Sequence, residues 1–345
     1  MVSVEQALWE EYLNFIKSEI PSWAMLDYSS VNFELLTGTS NKVYKLWNSK
    51  EVQPTSLLLR IFGPNEITDK IREHQIFLYL GKHNLAPKAI GLSPSARIEE
   101  FLENYLPIVY EDLLNPKIIK NICDKIRQVH QLEGFLSDEG NILFENLSKW
   151  RKIGIEKIDL IENPVKKASI EDLLSQNMWA RFLEIVPNEK PESIVHLDLN
   201  FYNILLNRQT ESIYLVDYEF TGNGDRSLDF SFLFSDMRFD YLYDKPPYFS
   251  YLKEKAPTDE LIAEYVKAYG EGSDFWIDIK RGILVANYIW AIWGVAMWKN
   301  SGTGFDYLEN ALLRFSEFIQ ESEDYWLSGG KSNLENLAQR LFYPN

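Results

Sequence analysis

The chain has 345 residues, 46% of them apolar and 14% aromatic, and carries a formal net charge of −16. A chain this apolar can bury a substantial core, which excludes disorder, and its length fits one large domain or two lobes. The acidic balance argues against nucleic acid and anionic membranes as partners, and is compatible with cationic small molecules, Mg²⁺ or plain solubility.

In chain order, residues 3–20 predict an amphipathic helix with Leu8, Trp9, Tyr12, Leu13, Phe15 and Ile16 on its apolar side. The same stretch is acidic and lacks the basic start and apolar core of a secretory signal. VNFELLTGTSNKVYKLW (31–47) reads as strand, small-residue turn and strand. The turn is either an ordinary hairpin or a loop whose backbone N–H groups and hydroxyls lie over phosphates. No G-x₄-G-K-[ST] occurs, so a P-loop is excluded. TSLLLRIFG (55–63) is a third strand, almost continuously apolar except for Arg60. That cation either holds its head in water from an edge strand or is paired; Glu73, in the helix expected over 65–84, is the partner on offer. KAIGLSPSARIEEFLE (88–103) predicts a short hairpin.

These elements make a small mixed lobe over 1–103, followed by a mainly helical lobe over 104–345. A helix over 115–134 has an Asn cap with Pro in its first turn, and further helical patterns cover about 145–162 and 169–186. Cys123 is the only cysteine, which rules out a disulfide within one chain and fits a reducing cytoplasm. GILVANYIWAIWGVAMW (282–298) is uncharged, but it is short for a bilayer span of roughly 17–25 residues. With Asn287 in its middle it reads as a buried core helix, so no stable membrane insertion is expected.

One polar stretch interrupts the helices. HLDLNFYN (196–203) lies between the apolar runs SIV and ILLN, and a turn leads on to IYLVDYEF. Read as a hairpin, the two later runs bring Asp198, Asn203 and Asp217 to one end; on a strand Asp217 and Glu219 would face the same side. All these donors are oxygens, which suits a hard cation such as Mg²⁺ and not structural zinc. H-x-D-x₄-N with a downstream aspartate is the arrangement kinases use for phosphoryl transfer: one side chain takes the hydroxyl proton while an amide and a carboxylate hold metal. The plainer reading is a polar turn with capping interactions. His196 is expected to pack and hydrogen-bond within the loop.

Taken in order, LLTGTSNKVYKL, LLLRIFG, RIEEFL, HLDLNFYNILL and LVDYEFTGNGDRSLDFSFLF, with MRFDYLYDKPPYF and YIWAIWGVAMW, resemble the choline/ethanolamine kinases, within the aminoglycoside-phosphotransferase and protein-kinase-like group. The resemblance covers residues 31–320. It implies an α+β, bilobal protein-kinase-like fold, with an antiparallel sheet in the small N-terminal lobe and a large, mainly helical C-terminal lobe. It implies Asp198 as base, Asn203 and Asp217 as Mg²⁺ ligands, and Arg60 with Thr39, Ser40 and Asn41 at the ATP phosphates. Glu100, Phe101 and Leu102 would face adenine. Glu219, Phe220, Tyr241, Trp290 and Trp293 would surround the substrate, and His196, Asp229 and Glu73 would be structural. Trp290 and Trp293 share a helix face and can hold a quaternary ammonium by cation–π attraction, although as bare residues, without the resemblance, they read as core.

The implied activity is ATP- and Mg²⁺-dependent phosphorylation of choline, with ethanolamine as a second acceptor, the first step of phospholipid headgroup synthesis. An ethanolamine-preferring kinase, an aminoglycoside-type phosphotransferase and a catalytically dead binding module are the alternatives. Family members are often homodimers, and nothing in the sequence marks an interface. Three departures stand out: a single glycine in the nucleotide loop, Tyr202 before Asn203, and TGNGDRS without the usual aromatic residues.

Overall fold

The structure is a computed structural model that describes residues 4–36, 41–63, 67–132, 140–187, 193–299 and 304–343. The chain forms two compact units, Met1–Glu66 with His74–Tyr105, and Ile67–Glu73 with Leu106–Asn345.

The first unit contains α1 (Val4–Glu19) and the strands β1 (Val31–Leu36), β2 (Asn41–Asn48) and β3 (Ser56–Phe62). Beyond α2 (Lys70–Lys82) come β4 (Ala89–Leu92) and β5 (Ala96–Glu100). The five strands form one antiparallel sheet in the order β1-β2-β3-β5-β4. Strand alternation divides it into two faces. Leu57, Leu59, Ala96 and Ile98 bury one face against Trp9, Tyr12 and Ile16 of α1. Arg60, Arg97 and Glu99 occupy the alternate positions and are buried too. Glu99 Oε1 accepts from Arg60 Nε at 3.0 Å and from Arg97 Nε at 2.9 Å, so this charge set is internally paired. Burial opposes ionisation of Glu99, but Arg97 and Arg60 outweigh it and hold the carboxyl below its usual range.

The second unit runs through β6 (Tyr105–Pro107), α3 (Pro116–His130), α4 (Ile142–Lys157), α5 (Pro164–Leu173) and α6 (Gln176–Ile185). There follow β7 (Ser193–Val195), β8 (Ile204–Asn207), β9 (Ile213–Leu215), β10 (Gly222–Gly224) and α7 (Ser227–Asp236). β11 (Phe239–Asp240) and β12 (Ser250–Tyr251) precede α8 (Asp259–Tyr269), α9 (Ser273–Met297), α10 (Tyr307–Leu327) and α11 (Lys331–Phe342). Asn115 caps α3 by accepting from Lys117 N at 3.0 Å, and Pro116 opens the helix, where its missing N–H costs nothing.

α9 is the central element of this unit and packs against α7, α10 and α4. Every residue of α7 is buried. A Cβ on Gly282 would lie 2.7 Å from Ser231 Cβ, so the glycine permits the close approach of α9 to α7. No helix among the described residues is long and apolar enough to cross a membrane.

Candidate active site

Residues 196–203 connect β7 to β8, and hydrogen bonds to Asp229 shape the start of this loop. Asp229 Oδ2 accepts from His196 N at 3.0 Å and Oδ1 accepts from Leu197 N at 2.8 Å. Leu197 has φ +57°, a left-handed conformation that an apolar side chain adopts only when its surroundings enforce it. His130 Nε2 lies 2.9 Å from Asp229 Oδ2, and its Nδ1 lies 2.7 Å from the Tyr269 hydroxyl. Burial opposes ionisation of Asp229, and its contacts with His130 and His196 outweigh it, so the carboxyl stays below its ordinary range. The His196 ring packs on Tyr218 and its Nε2 lies 2.9 Å from Val216 O. Burial lowers the proton affinity of His196.

Two amides hold the Asp198 side chain. Asn200 Nδ2 donates to Asp198 Oδ1 at 3.1 Å, and Asn203 Nδ2 donates to Asp198 Oδ2 at 2.8 Å. Asn200 also accepts from Tyr202 N at 2.9 Å and Asn203 N at 3.2 Å, the Asx turn that returns the chain toward β8. Burial, followed by the charges of Asp217, Glu219 and Asp236, raises the Asp198 pKa well above the usual carboxyl value.

β8 and β9 pair antiparallel, with Ile204 opposite Leu215 and Val216 N donating to Asn203 O at 3.0 Å. Asn203 and Asp217 are therefore at the open end of this hairpin. One expectation is corrected here. The strand ends at Leu215 and Asp217 has φ +67°, so Asp217 and Glu219 do not share a strand face. Aspartate tolerates the left-handed region because its short polar side chain can bond locally.

Among the described residues no three His, Cys, Asp or Glu side chains gather as a metal-binding group. Asn203 and Asp217 are one amide and one carboxylate, a hard donor pair. Mg²⁺ commonly takes only one or two protein carboxylates and fills its remaining positions with water and phosphate oxygens. With its nitrogen bonded to Asp198, Asn203 offers Oδ1 to a cation. The donor set fits Mg²⁺.

Aromatic rings form a continuous run from Tyr241 to Phe220. Tyr241 contacts Phe305 at 6.0 Å between centroids, Phe305 contacts Tyr307 at 4.7 Å, and Tyr307 contacts Trp293 at 5.5 Å. Trp293 then meets Trp290 at 5.3 Å, and Trp290 meets Phe220 at 5.7 Å. Both ends lie near the carboxylates: Tyr241 feels the charge of Asp198, and Phe220 follows Glu219 in the chain. Trp290 Nε1, Trp293 Nε1 and Tyr307 Oη are buried without a hydrogen-bond partner. Such atoms call for a bound polar group or water.

Asp236, Arg314, Asn287 and Asn200 were not singled out in the sequence as site residues. Arg314 Nη2 donates to Asp236 Oδ1 at 2.6 Å and also bonds the Tyr241 hydroxyl, while Nη1 donates to Asn287 Oδ1 at 3.3 Å. The i,i+5 spacing of Asp236 and Tyr241 carried no motif, and 78 residues separate Asp236 from Arg314. The one available signal is Asn287, a polar residue inside the uncharged run 282–298.

The choline/ethanolamine kinase family model matches residues 33–319. The chain belongs to that family. The human protein named choline/ethanolamine kinase is 24% identical over 297 residues, covering 78% of this chain and 73% of that protein. Among solved structures, choline kinase from Cryptosporidium parvum aligns with a TM-score of 0.76 at 21% identity, covering 96% of this chain and 99% of the other. An ethanolamine kinase from Plasmodium vivax gives a TM-score of 0.68 at 18% identity, covering 90% and 94%. These neighbours establish the protein-kinase-like fold expected from the choline/ethanolamine kinase resemblance, and membership makes the chain a phosphotransferase.

Of the nucleotide residues expected by that family resemblance, Asn41, Arg60, Glu100, Phe101 and Leu102 lie in the first unit. Asn41 opens β2, and its Oδ1 accepts from Gly63 N at 3.4 Å. Glu100 ends β5, with Phe101 and Leu102 directly after it and Lys45 Nζ 4.3 Å from the Phe101 ring. Thr39 and Ser40 lie outside the described residues. Arg60 pairs with Glu99 at 3.0 Å, a partner the strand pattern of the sequence does not mark.

Proposed function

We propose that this enzyme transfers the γ-phosphoryl group of ATP to the hydroxyl of choline, with ethanolamine as a poorer acceptor. The run of rings from Tyr241, which feels the charge of Asp198, to Phe220, which follows Glu219 in the chain, supports this reading most strongly. Aromatic faces attract a quaternary ammonium that offers no hydrogen-bond donors, each by about 0.5–2 kcal/mol.

In this reading Asp198 accepts the proton of the choline hydroxyl as its oxygen bonds to the γ-phosphorus and the bond to the β-bridging oxygen breaks, releasing ADP. The raised proton affinity of Asp198 suits a general base, and its two amide contacts aim the carboxylate. Asn203 and Asp217 would hold Mg²⁺, which supplies charge neutralisation on the phosphates. Arg60 would reach those phosphates while Glu99 holds its guanidinium in place, and Glu73 would support it. Asn41, with Thr39 and Ser40, would lie over the phosphates, and Glu100, Phe101 and Leu102 would border adenine. His196 and Asp229 hold the loop, and Glu219 borders the substrate. The single cysteine favours a cytoplasmic setting.

Ethanolamine as the preferred acceptor has one observation in its favour: the charges of Asp217 and Glu219 act on Asp198, and their carboxylates could accept from a primary ammonium. Incubating the protein with ATP, Mg²⁺ and each alcohol, with ADP release and product mass as readouts, tests both readings. Absence of phosphocholine sinks the first, and a far larger kcat/KM for ethanolamine reverses their order.

A further inference from the structure

Asp236, at the Tyr241 end of the ring run, is joined at 2.6 Å to Arg314, and the side chains of this pair are only 6% and 2% exposed. Arg314 is held on further sides: Asn287 Oδ1 accepts from Nη1, and the guanidinium carbon sits 3.9 Å from the Phe239 ring centroid. Phe239 in turn stacks on Tyr241 with 9° between ring planes. The Tyr241 hydroxyl accepts from Arg314 and lies 3.4 Å from both Asp236 oxygens. One buried guanidinium thus fixes both the acid and the ring at this end of the site.

We propose that Arg314 is a positioning residue that sets headgroup preference by neutralising Asp236 and fixing Tyr241, so that a cation meets aromatic faces there and no free carboxylate. The inference rests on the amino-alcohol kinase reading above. A primary ammonium brings three N–H donors that need acceptors once desolvated, whereas a quaternary ammonium brings none. With Asp236 committed to Arg314, the Tyr241 end of the site compensates the donors of ethanolamine poorly and discriminates against it. Releasing Asp236 should provide the missing acceptor.

The test measures the choline-to-ethanolamine ratio of kcat/KM in the parent enzyme, Arg314→Gln, Arg314→Lys and the double variant Arg314→Gln/Asp236→Asn. Melting temperature and nucleotide affinity serve as checks on folding. Arg314→Gln should lower the ratio by about tenfold, through KM for ethanolamine more than through kcat. Arg314→Lys keeps a cation on Asp236, and the double variant removes both charges, so each should stay within about threefold of the parent ratio. A purely structural role would lower turnover of both alcohols together and leave the ratio unmoved. An unchanged ratio in Arg314→Gln, or an equal fall in the double variant, overturns the inference.

Should Arg314→Gln not fold, Asp236→Asn provides the second arm. It leaves a lone guanidinium that should raise KM for both alcohols by about tenfold, and adding Arg314→Gln should reverse the rise. Failure to reverse it also overturns the inference. A parent enzyme that phosphorylates neither alcohol removes the function reading and this inference together, whereas turnover with an unmoved ratio removes only the inference.

Discussion

Asn203 bonds Asp198 twice, its Nδ2 donating to the backbone carbonyl and to the carboxylate Oδ2, each at 2.8 Å. The amide is therefore part of the support for the carboxylate, and the two side chains act as one assembly. Asp198→Ala should lower kcat by about 10³-fold and leave ATP affinity largely intact. Single-turnover ADP release alongside nucleotide titration checks this; normal phosphorylation of choline by the variant would remove Asp198 from the base role.

Asp229 supports the loop by accepting from two backbone N–H groups and is 1% exposed. Asn in its place presents one NH₂ group to these donors and loses the charge facing His130. Asp229→Asn should cost about 3 kcal/mol or more of stability, read by denaturant melts. A melt indistinguishable from the parent would show that the loop keeps its left-handed Leu197 without this brace.

Trp290 and Trp293 can be tested separately. Replacing either with Leu should raise KM for choline by about 3- to 30-fold while changing kcat less, the amount expected for losing one cation–π face. If both variants lost stability but kept the parent KM, the indoles would be core alone.

Arg97 and Arg60 hold the Glu99 carboxyl below its unfolded value of about 4.3. The folded chain then binds fewer protons, so the Glu99 contribution is complete above that value and is lost as pH falls through the lower folded pKa. Glu99→Gln should therefore be less stable than the parent at neutral pH, and the gap should narrow on acidification below about pH 4. Urea midpoints measured across this range decide it; a constant gap would contradict the ionised pair.

The contact of α9 with α7 predicts a further loss of stability. A Cβ at Gly282 would collide with the Ser231 side chain, so Gly282→Ala should cost about 1–3 kcal/mol despite the better helix propensity of alanine. Calorimetry that found the variant stabilised would mean the helices can separate freely.

Much of this architecture was legible because its signals are local. The order of strand, turn, strand and helix follows from periodicity, and the β8–β9 hairpin brings Asn203 and Asp217 to one end through ladder register alone. The Asp198-to-Asn203 spacing was visible for the same reason. Long-range pairings were not. Arg60 lies 39 residues from Glu99 in sequence but one strand away in the sheet. In the sequence Asn287 speaks only against a membrane helix, yet its amide donates to Glu321 at 3.0 Å and its carbonyl accepts from Arg314. The conformation of Asp217 escaped too, since a strand pattern continues through Val216 and nothing in it marks a positive φ.

In α9, two glycines bracket Asn287, Trp290 and Trp293. Gly282 meets Ser231, and a Cβ at Gly294 would come within 3.0 Å of Tyr307 O and 3.1 Å of Ala311 Cβ. These two notches index the helix against its neighbours and leave no play in rotation or slide. Each added residue would turn everything beyond it by about 100°. The spacing between these notches is a length that an insertion or deletion cannot change without turning Trp290 and Trp293 away from their present neighbours.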